Sequence, residues 1–290
     1  MSNLSVVFIL AEYSLHNHLI VEYLRARPDD KVALVKVPLV LRGKSRRETA
    51  TRIVPKLSRR FLSGKLIEAL AVAVITAVPK VLRRGPEFLR LRTLARRHRL
   101  PFVRSENVMS QETLAFVADQ QPDVVVTLFH QIVRQPLIEI PRLGVVNIHP
   151  GLLPDYRGIQ PYFWELSEGS ERAGATVHLI EDESIDSGAI LGGTSYPVVR
   201  GSSVQLNYYL TCRAASRLLP VCLTALASGR MSPQQQSSAA GAYWRWPDSA
   251  AFDRLASRGH CLMSWRQLFA LLAGRYDGLE AEQTVNEAGD

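Results

Sequence analysis

Apolar runs alternate with segments of helical periodicity through the first half of the chain. Four runs are apolar nearly throughout: residues 4–10, 31–37, 123–128 and 145–148. Such runs are typical of parallel strands that are buried on both faces. Residues 15–25 and 110–120 lie between them and carry apolar side chains at helical spacing. The alternation predicts an α/β fold, a Rossmann-like, open and mostly parallel sheet with helices on both faces. Ligands of such sheets bind beyond the carboxyl ends of the strands.

The pattern changes in the second half of the chain. Residues 175–180 and 189–199 predict a pair of strands, and the acidic loop 181–188 joins them. A long helix is predicted over 203–227, and Gly229 marks its end. This part of the chain therefore departs from a simple repetition of parallel strands and helices.

Length and composition limit the domain organisation. The chain has 290 residues, of which 47% are hydrophobic and 21% charged, enough for one large domain with a small appendage. We predict a main, catalytic domain over residues 1–230 and a short C-terminal extension over residues 231–290. Three cysteines form no CxxC pair, and residues 1–10 do not resemble a secretory signal. These features favour a cytoplasmic protein.

Positive charge is concentrated in one segment. Between Lys36 and Arg104 there are 19 Lys and Arg residues but only three acids, whereas the whole chain has a formal charge of +8. We expect a basic helical insertion over about 42–99. Such an asymmetry favours an anionic partner, which is a nucleic acid, a phosphorylated small molecule or a membrane surface. The alternative is a solvated helical face without a partner.

An apolar run over 69–78 lies in the middle of this insertion. Its ten residues are about half of what a membrane span requires. Basic residues precede and follow the run, a pattern that suits peripheral contact with an anionic membrane through residues 42–99. A buried helix with basic ends has the same pattern, so both interpretations stay open.

Candidate chemistry appears where the strand at 145–148 ends. Asn147 and His149 alternate with apolar residues, so their side chains lie on one face of the strand. A buried Asn and a buried His each require hydrogen-bond partners, which makes a purely structural role costly. A His side chain acts as an acid or electrophile, and an Asn amide donates to a developing oxyanion. The pair indicates acyl-transfer chemistry, and Asp186 in the acidic loop is the candidate carboxylate.

Two sequence runs resemble the folate-dependent formyltransferases, which include glycinamide ribonucleotide, methionyl-tRNA and sugar N-formyltransferases. The first is NIHPGLLP at 147–154, followed by YRG at 156–158, and the second is IDSGAI at 185–190. Gly151 departs from the family pattern, in which Ser is usual. The resemblance implies that Asn147, His149 and Asp186 are the catalytic trio.

The resemblance also implies the formyl donor and its pocket. The donor is N10-formyltetrahydrofolate, the acceptor is a free amine, and no metal is expected. The pterin pocket is expected to draw on Phe129, Gln131 and Ile132, which follow a predicted strand. Asp182 and Ile185 of the acidic loop complete it, mostly through backbone groups.

Family members differ in the amine that they formylate. The loop Ala11–Asn17 has no glycine and contains an acid, so it disfavours the phosphate that the purine-pathway enzyme binds there. The family's deformylases carry an extra N-terminal domain, for which the residues before Leu4 leave no room. The methionyl-tRNA enzymes carry a C-terminal β-barrel, and residues 230–290 are too few and too poor in alternating strands for one. We therefore expect a small anionic acceptor such as an amino sugar nucleotide.

Two alternative functions stay open. The first is a methionyl-tRNA formyltransferase, in which the basic segment would contact tRNA. Its apolar middle and its two aromatic rings, Phe61 and Phe88, make tRNA the less favoured partner. The second is a non-catalytic binding module peripheral to a membrane or a nucleic acid, against which the intact trio argues. The sequence sets neither the oligomeric state nor the identity of the acceptor.

Overall fold

The computed structural model describes residues 3–11, 16–38, 51, 59–64, 66–67, 70, 90–237, 241–273, 275–276 and 281–286. The first strands are β1 (Ser5–Ala11), β2 (Lys31–Val37), β3 (Phe102–Arg104), β4 (Val124–Leu128) and β5 (Val145–His149). The helices that accompany them are α1 (Asn17–Ala26), α2 (Leu91–His98), α3 (Gln111–Asp119) and α4 (Gln135–Ile138).

The remaining elements follow β5. The strands are β6 (Tyr156–Gly158), β7 (Arg172–Ile180), β8 (Ile190–Pro197), β9 (Ala242–Trp244) and β10 (Glu282–Val285). The helices are α5 (Pro161–Glu168), α6 (Val204–Ala227), α7 (Ser249–Ser257) and α8 (Trp265–Leu272). Ser110 and Ser203 cap α3 and α6, because each side chain accepts a hydrogen bond from a backbone N–H three residues later.

One mixed sheet organises the protein, with the strand order β10-β8-β7-β5-β4-β1-β2-β3. The five strands from β3 to β5 in this order are parallel, and β7, β8 and β10 are each antiparallel to their neighbour. The strands β6 and β9 form a separate parallel pair. The predicted α/β class with a mostly parallel sheet is confirmed.

Apolar side chains cover both faces of this sheet. Along β1, Val6 and Phe8 belong to a core cluster with α1 and α6, whereas Val7 and Ile9 belong to a second cluster with α3 and α4. Among the described residues, only α6 is long and apolar enough to cross a membrane, and 67% of its most apolar window is buried within the protein. Such burial is typical of a core helix, and α6 packs against β7 and β8.

The described residues after 230 pack on the main body. β9 pairs with β6, β10 pairs with β8, and α7 lies against α5. In the helix contact, Phe252 and Phe163 form a T-shaped ring pair with centroids 5.0 Å apart. The division of the chain at residue 230 stays a prediction.

About a third of the basic insertion is described, including the helix α2 at its end. Residues 59–64 are helical, and the buried Phe61 lies 5.1 Å from Trp246 between ring centroids. Arg60 forms an ion pair with Asp253 of α7. Apart from Leu70, the apolar run 69–78 lies outside the described residues, and so does most of the segment 42–99 through which membrane contact was expected.

Candidate active site

A cleft of about 160 Å³ opens at the carboxyl ends of β4 and β5. This is where open parallel sheets bind ligands. Its walls include the residues after β4, the end of β5, the segment after β6 and the loop between β7 and β8. All eight predicted site residues line it: Asn147, His149, Asp186, Phe129, Gln131, Ile132, Asp182 and Ile185. The catalytic roles of the first three stay predictions.

Asn147 is held by the two strands that flank β5. Its Oδ1 accepts a hydrogen bond from the Thr127 hydroxyl at 3.0 Å, and its Nδ2 donates to His178 Nε2 at 3.0 Å. These contacts fix which way the amide points. They use one of the two Nδ2 hydrogens, so the other is available to an acceptor in the cleft.

His178 is the acceptor in this contact because it is neutral. Its Nδ1–H donates to the Leu179 carbonyl at 2.8 Å, which leaves Nε2 unprotonated. Burial lowers the pKa of His178 to about 4, in spite of the nearby Asp186 carboxylate. His178 therefore orients Asn147 and carries no charge at neutral pH.

His149 lies two residues beyond Asn147 on the same face of β5. Its Nδ1 lies 3.4 Å from Asp186 Oδ1, and its Nε2 lies 2.7 Å from the Tyr156 carbonyl oxygen. Burial lowers the pKa of His149, but the Asp186 carboxylate and the Tyr156 carbonyl outweigh that effect, and the net pKa is raised. Because both ring nitrogens face acceptors, the site stabilises the imidazolium.

Asp186 completes the trio from the loop between β7 and β8. Its backbone is left-handed, with φ of +53°, which is uncommon for a residue other than glycine. Its Oδ2 accepts a hydrogen bond from the Gly158 N–H at 2.9 Å. Burial raises the pKa of Asp186, but His149, His178 and this N–H outweigh it and lower the pKa to about 2. The carboxylate is thus ionised wherever His149 is protonated near neutral pH.

The loop after β5 is fixed by the buried Glu165 of α5. Glu165 Oε1 accepts hydrogen bonds from the backbone N–H groups of Leu152 and Gly174, both at 3.2 Å. Gly151 is required in this packing, because a Cβ at position 151 would lie 2.4 Å from the Pro161 Cβ. The departure from the serine of the family pattern therefore has a steric reason in this chain.

The residues expected around the pterin differ in what their side chains do. Gln131 is directed at the loop before α3, where it accepts from the Val108 N–H at 2.9 Å and donates to the Glu106 carbonyl at 3.2 Å. Asp182 accepts from the Ser184 N–H at 2.7 Å, and Ile185 is 41% exposed. Their roles in folate binding stay predictions.

Several contacts of the site were not predicted from the sequence. Thr127 is the one polar residue of β4, which is a signal that could have been used. His16 and Tyr208 also line the cleft, and His16 Nε2 accepts from the Tyr208 hydroxyl at 2.5 Å. Burial lowers the pKa of His16 to about 3, so it is neutral. No local pattern marks Tyr208, since it lies in the long helix α6.

The chain is similar in sequence and in fold to known proteins. A model of the formyl transferase family matches residues 53–221. The methionyl-tRNA formyltransferase of Trichlorobacter lovleyi is 29% identical over 213 residues, which are 72% of this chain and 64% of that protein. The chain thus spans somewhat less than two thirds of the length of this curated relative.

Solved structures share the fold at low sequence identity. A sugar N-formyltransferase from a Shewanella species has a TM-score of 0.52 and 19% identity, with 87% of each chain covered. An N-formyltransferase from Helicobacter canadensis, solved with folinic acid and dTDP-3-aminofucose, has a TM-score of 0.52 and 15% identity. That match covers 83% of this chain and 70% of the other.

Proposed function

Because the chain belongs to the formyl transferase family, we propose that it transfers the formyl group of N10-formyltetrahydrofolate to the amine of a small anionic acceptor, such as an amino sugar nucleotide. One observation carries the proposal: Asn147, His149 and Asp186 converge in one cleft at the carboxyl end of β5. The walls of this cleft also suit the donor. Leu128, Phe129 and Ile132 are apolar, and the loop 181–188 offers backbone groups to a heteroaromatic ring.

The amine attacks the formyl carbon, and negative charge develops on the formyl oxygen. The second Nδ2 hydrogen of Asn147 is the fixed donor for that oxygen. One well-placed donor of this kind stabilises the transition state by about 3–4 kcal/mol. The His149 Nε2–H is the second donor, and the formyl oxygen replaces the Tyr156 carbonyl as its acceptor.

Proton transfer is the task of the His149–Asp186 pair. The attacking amine loses a proton, and N10 of the departing tetrahydrofolate gains one. Protonated His149 gives its Nε2 proton to N10, directly or through water, and the neutral imidazole then takes up the proton that the amine loses. Asp186 keeps it in the protonated state because their charges lie 3.4 Å apart.

The acceptor class is supported by charge and by the packing of the C-terminal extension. Lys36–Arg104 contains 19 basic residues and three acids, which suits an acceptor with phosphate groups. The described residues between 241 and 286 form two helices and two strands that pack on the main body. This arrangement differs from the separate C-terminal β-barrel expected of a methionyl-tRNA enzyme. The Helicobacter neighbour, crystallised with folinic acid and an amino sugar nucleotide, has the same fold. Nothing in the described residues or the relatives supports contact with a membrane.

Methionyl-tRNA is the second candidate acceptor. It is favoured by the Trichlorobacter relative, which is 29% identical to this chain and is a methionyl-tRNA formyltransferase. In this case the basic segment would contact the tRNA phosphates, and binding would weaken steeply with salt.

One experiment separates these functions. The protein is incubated with N10-formyltetrahydrofolate and either dTDP- and UDP-linked amino sugars, methionyl-tRNA, or no amine. We expect tetrahydrofolate release and a formylated product, identified by mass spectrometry, only with amino sugar nucleotides. Product only with methionyl-tRNA would establish the second candidate. Release without an amine would indicate a hydrolase, and no release in any arm would indicate a non-catalytic module. Asn147→Ala serves as the inactive control.

A further inference from the structure

We propose that Gln236 is a positioning residue, which holds Asp186 opposite His149 from outside the cleft. Its Nε2 donates to the carbonyl oxygen of Asp186 at 3.2 Å and to that of Gly188 at 2.7 Å. Gln236 therefore binds the backbone on both sides of the residue that follows Asp186. It lies in the segment after α6, remote in sequence from the trio, and its importance for turnover rests on the proposed function.

The other end of the Gln236 side chain is fixed by Arg157. Gln236 Oε1 accepts hydrogen bonds from Arg157 Nη2 at 2.9 Å and from Arg157 Nε at 3.3 Å. Arg157 directly precedes Gly158, the residue whose N–H donates to Asp186 Oδ2. Two adjacent residues of β6 thus hold Asp186. Gly158 binds its carboxylate directly, and Arg157 acts on its backbone through Gln236.

The loop 181–188 needs such support. Its residues 181–185 are exposed, and Asp186 has a left-handed backbone, which is unfavourable in a residue with a Cβ. The segment that carries Gln236 is itself anchored, because Gln234 and Ile190 exchange two backbone hydrogen bonds of 2.8 and 2.9 Å. Without the Gln236 amide, the carbonyl oxygens of Asp186 and Gly188 lose this donor, and the Gly158 N–H alone holds the carboxylate in place opposite His149.

The chain supplies its own matched control for this proposal, because Gln234, Gln235 and Gln236 are consecutive. The Gln235 side chain is exposed, whereas that of Gln236 is half-buried. We expect Gln236→Ala to lower kcat about tenfold or more, with a smaller change in the KM for the formyl donor, since small displacements of catalytic groups are costly. Gln235→Ala should keep the kcat of the wild type.

Gln236→Glu separates the two ends of the side chain. A carboxylate still accepts from Arg157 but has no hydrogen to donate to the two carbonyl oxygens. We expect it to lower kcat at least as much as Gln236→Ala. A kcat of Gln236→Glu close to that of the wild type would show that only the Arg157 contact matters, and it would overturn the proposal.

An NMR titration of the His149 ring tests the same idea without turnover. The charged and titratable groups that act on His149 are Asp186, His178 and Arg157, of which only Asp186 raises its pKa. A displaced Asp186 should therefore lower the pKa of His149 in Gln236→Ala and leave it unchanged in Gln235→Ala. This result would stand even if the protein formylated no tested amine. An unchanged pKa of His149 together with an unchanged kcat in Gln236→Ala would refute the role of Gln236.

Discussion

The substitution Asp186→Asn removes one charge from the cleft and nearly preserves the shape of the side chain. In wild type, His149 Nδ1 and Asp186 Oδ1 lie 3.4 Å apart. At an effective dielectric constant of about 20, opposite unit charges at this distance attract each other by about 5 kcal/mol. Burial opposes that attraction because it lowers the pKa of His149, and the net effect in wild type is a raised pKa.

Without the carboxylate, burial and the positive charge of Arg157 act on His149 in the same direction. The pKa of His149 should then fall below that of the wild type, and the imidazolium is lost at a lower pH. A reaction that requires the imidazolium loses rate as the pH rises through its pKa. The loss should therefore begin at a lower pH in Asp186→Asn, and kcat near pH 7.5 should fall by about 10²- to 10⁴-fold.

The assay measures tetrahydrofolate release at saturating formyl donor between about pH 5.5 and 9, in wild type and in Asp186→Asn. Asp155→Asn is the matched control. It removes the same charge near the cleft, but from a side chain that is exposed. The KM for the donor should change little in either variant. If Asp186→Asn keeps kcat within about threefold and the same alkaline limb, the carboxylate is structural and the reasoning fails.

Asn147→Ala and His149→Ala should each lower kcat by about a hundredfold or more in steady-state assays, while folate titrations show little change in affinity. Because burial lowers the pKa of His178 to about 4, its ring signals in NMR should not titrate between about pH 6 and 8; a midpoint there would contradict its neutral state. The lowered pKa of Asp186, about 2 against 3.8, contributes stability that is present above about pH 4 and is lost as the pH falls toward 2. Urea titrations should show a steeper loss over that range in wild type than in Asp186→Asn, and parallel losses would exclude the linkage.

The parallel half of the sheet could be predicted because burial on both faces leaves an uninterrupted apolar run. The strand predicted over 31–37 has those bounds in the structure, and the helix predicted over 203–227 begins one residue later. The positions of Asn147 and His149 followed from the same logic, since two polar residues in such a strand must lie where the sheet opens. Local patterns were sufficient wherever the position of a residue depended on a single strand or helix.

Other parts of the molecule depend on contacts that local patterns do not encode. The helix α5 was not predicted, because seven of its eight residues are buried and the sequence PYFWELSE has no polar face. The strand β6 has three residues, and its partner β9 lies some eighty residues away. Gln236 acquires its role only when the segment after α6 packs against the loop that carries Asp186. His178 acquires its role only when β7 pairs with β5. Such meetings are set by the tertiary fold.

The strand β10 has a consequence for handling this protein. It pairs with one side of β8, whose other side pairs with β7, so residues 282–285 satisfy backbone groups that would otherwise face solvent. An uncovered strand of this kind is a template for aggregation. A truncated form ending at residue 230 would also lose Phe252 from its place against Phe163. The predicted main domain expressed alone should therefore self-associate, and soluble material should require the chain through β10.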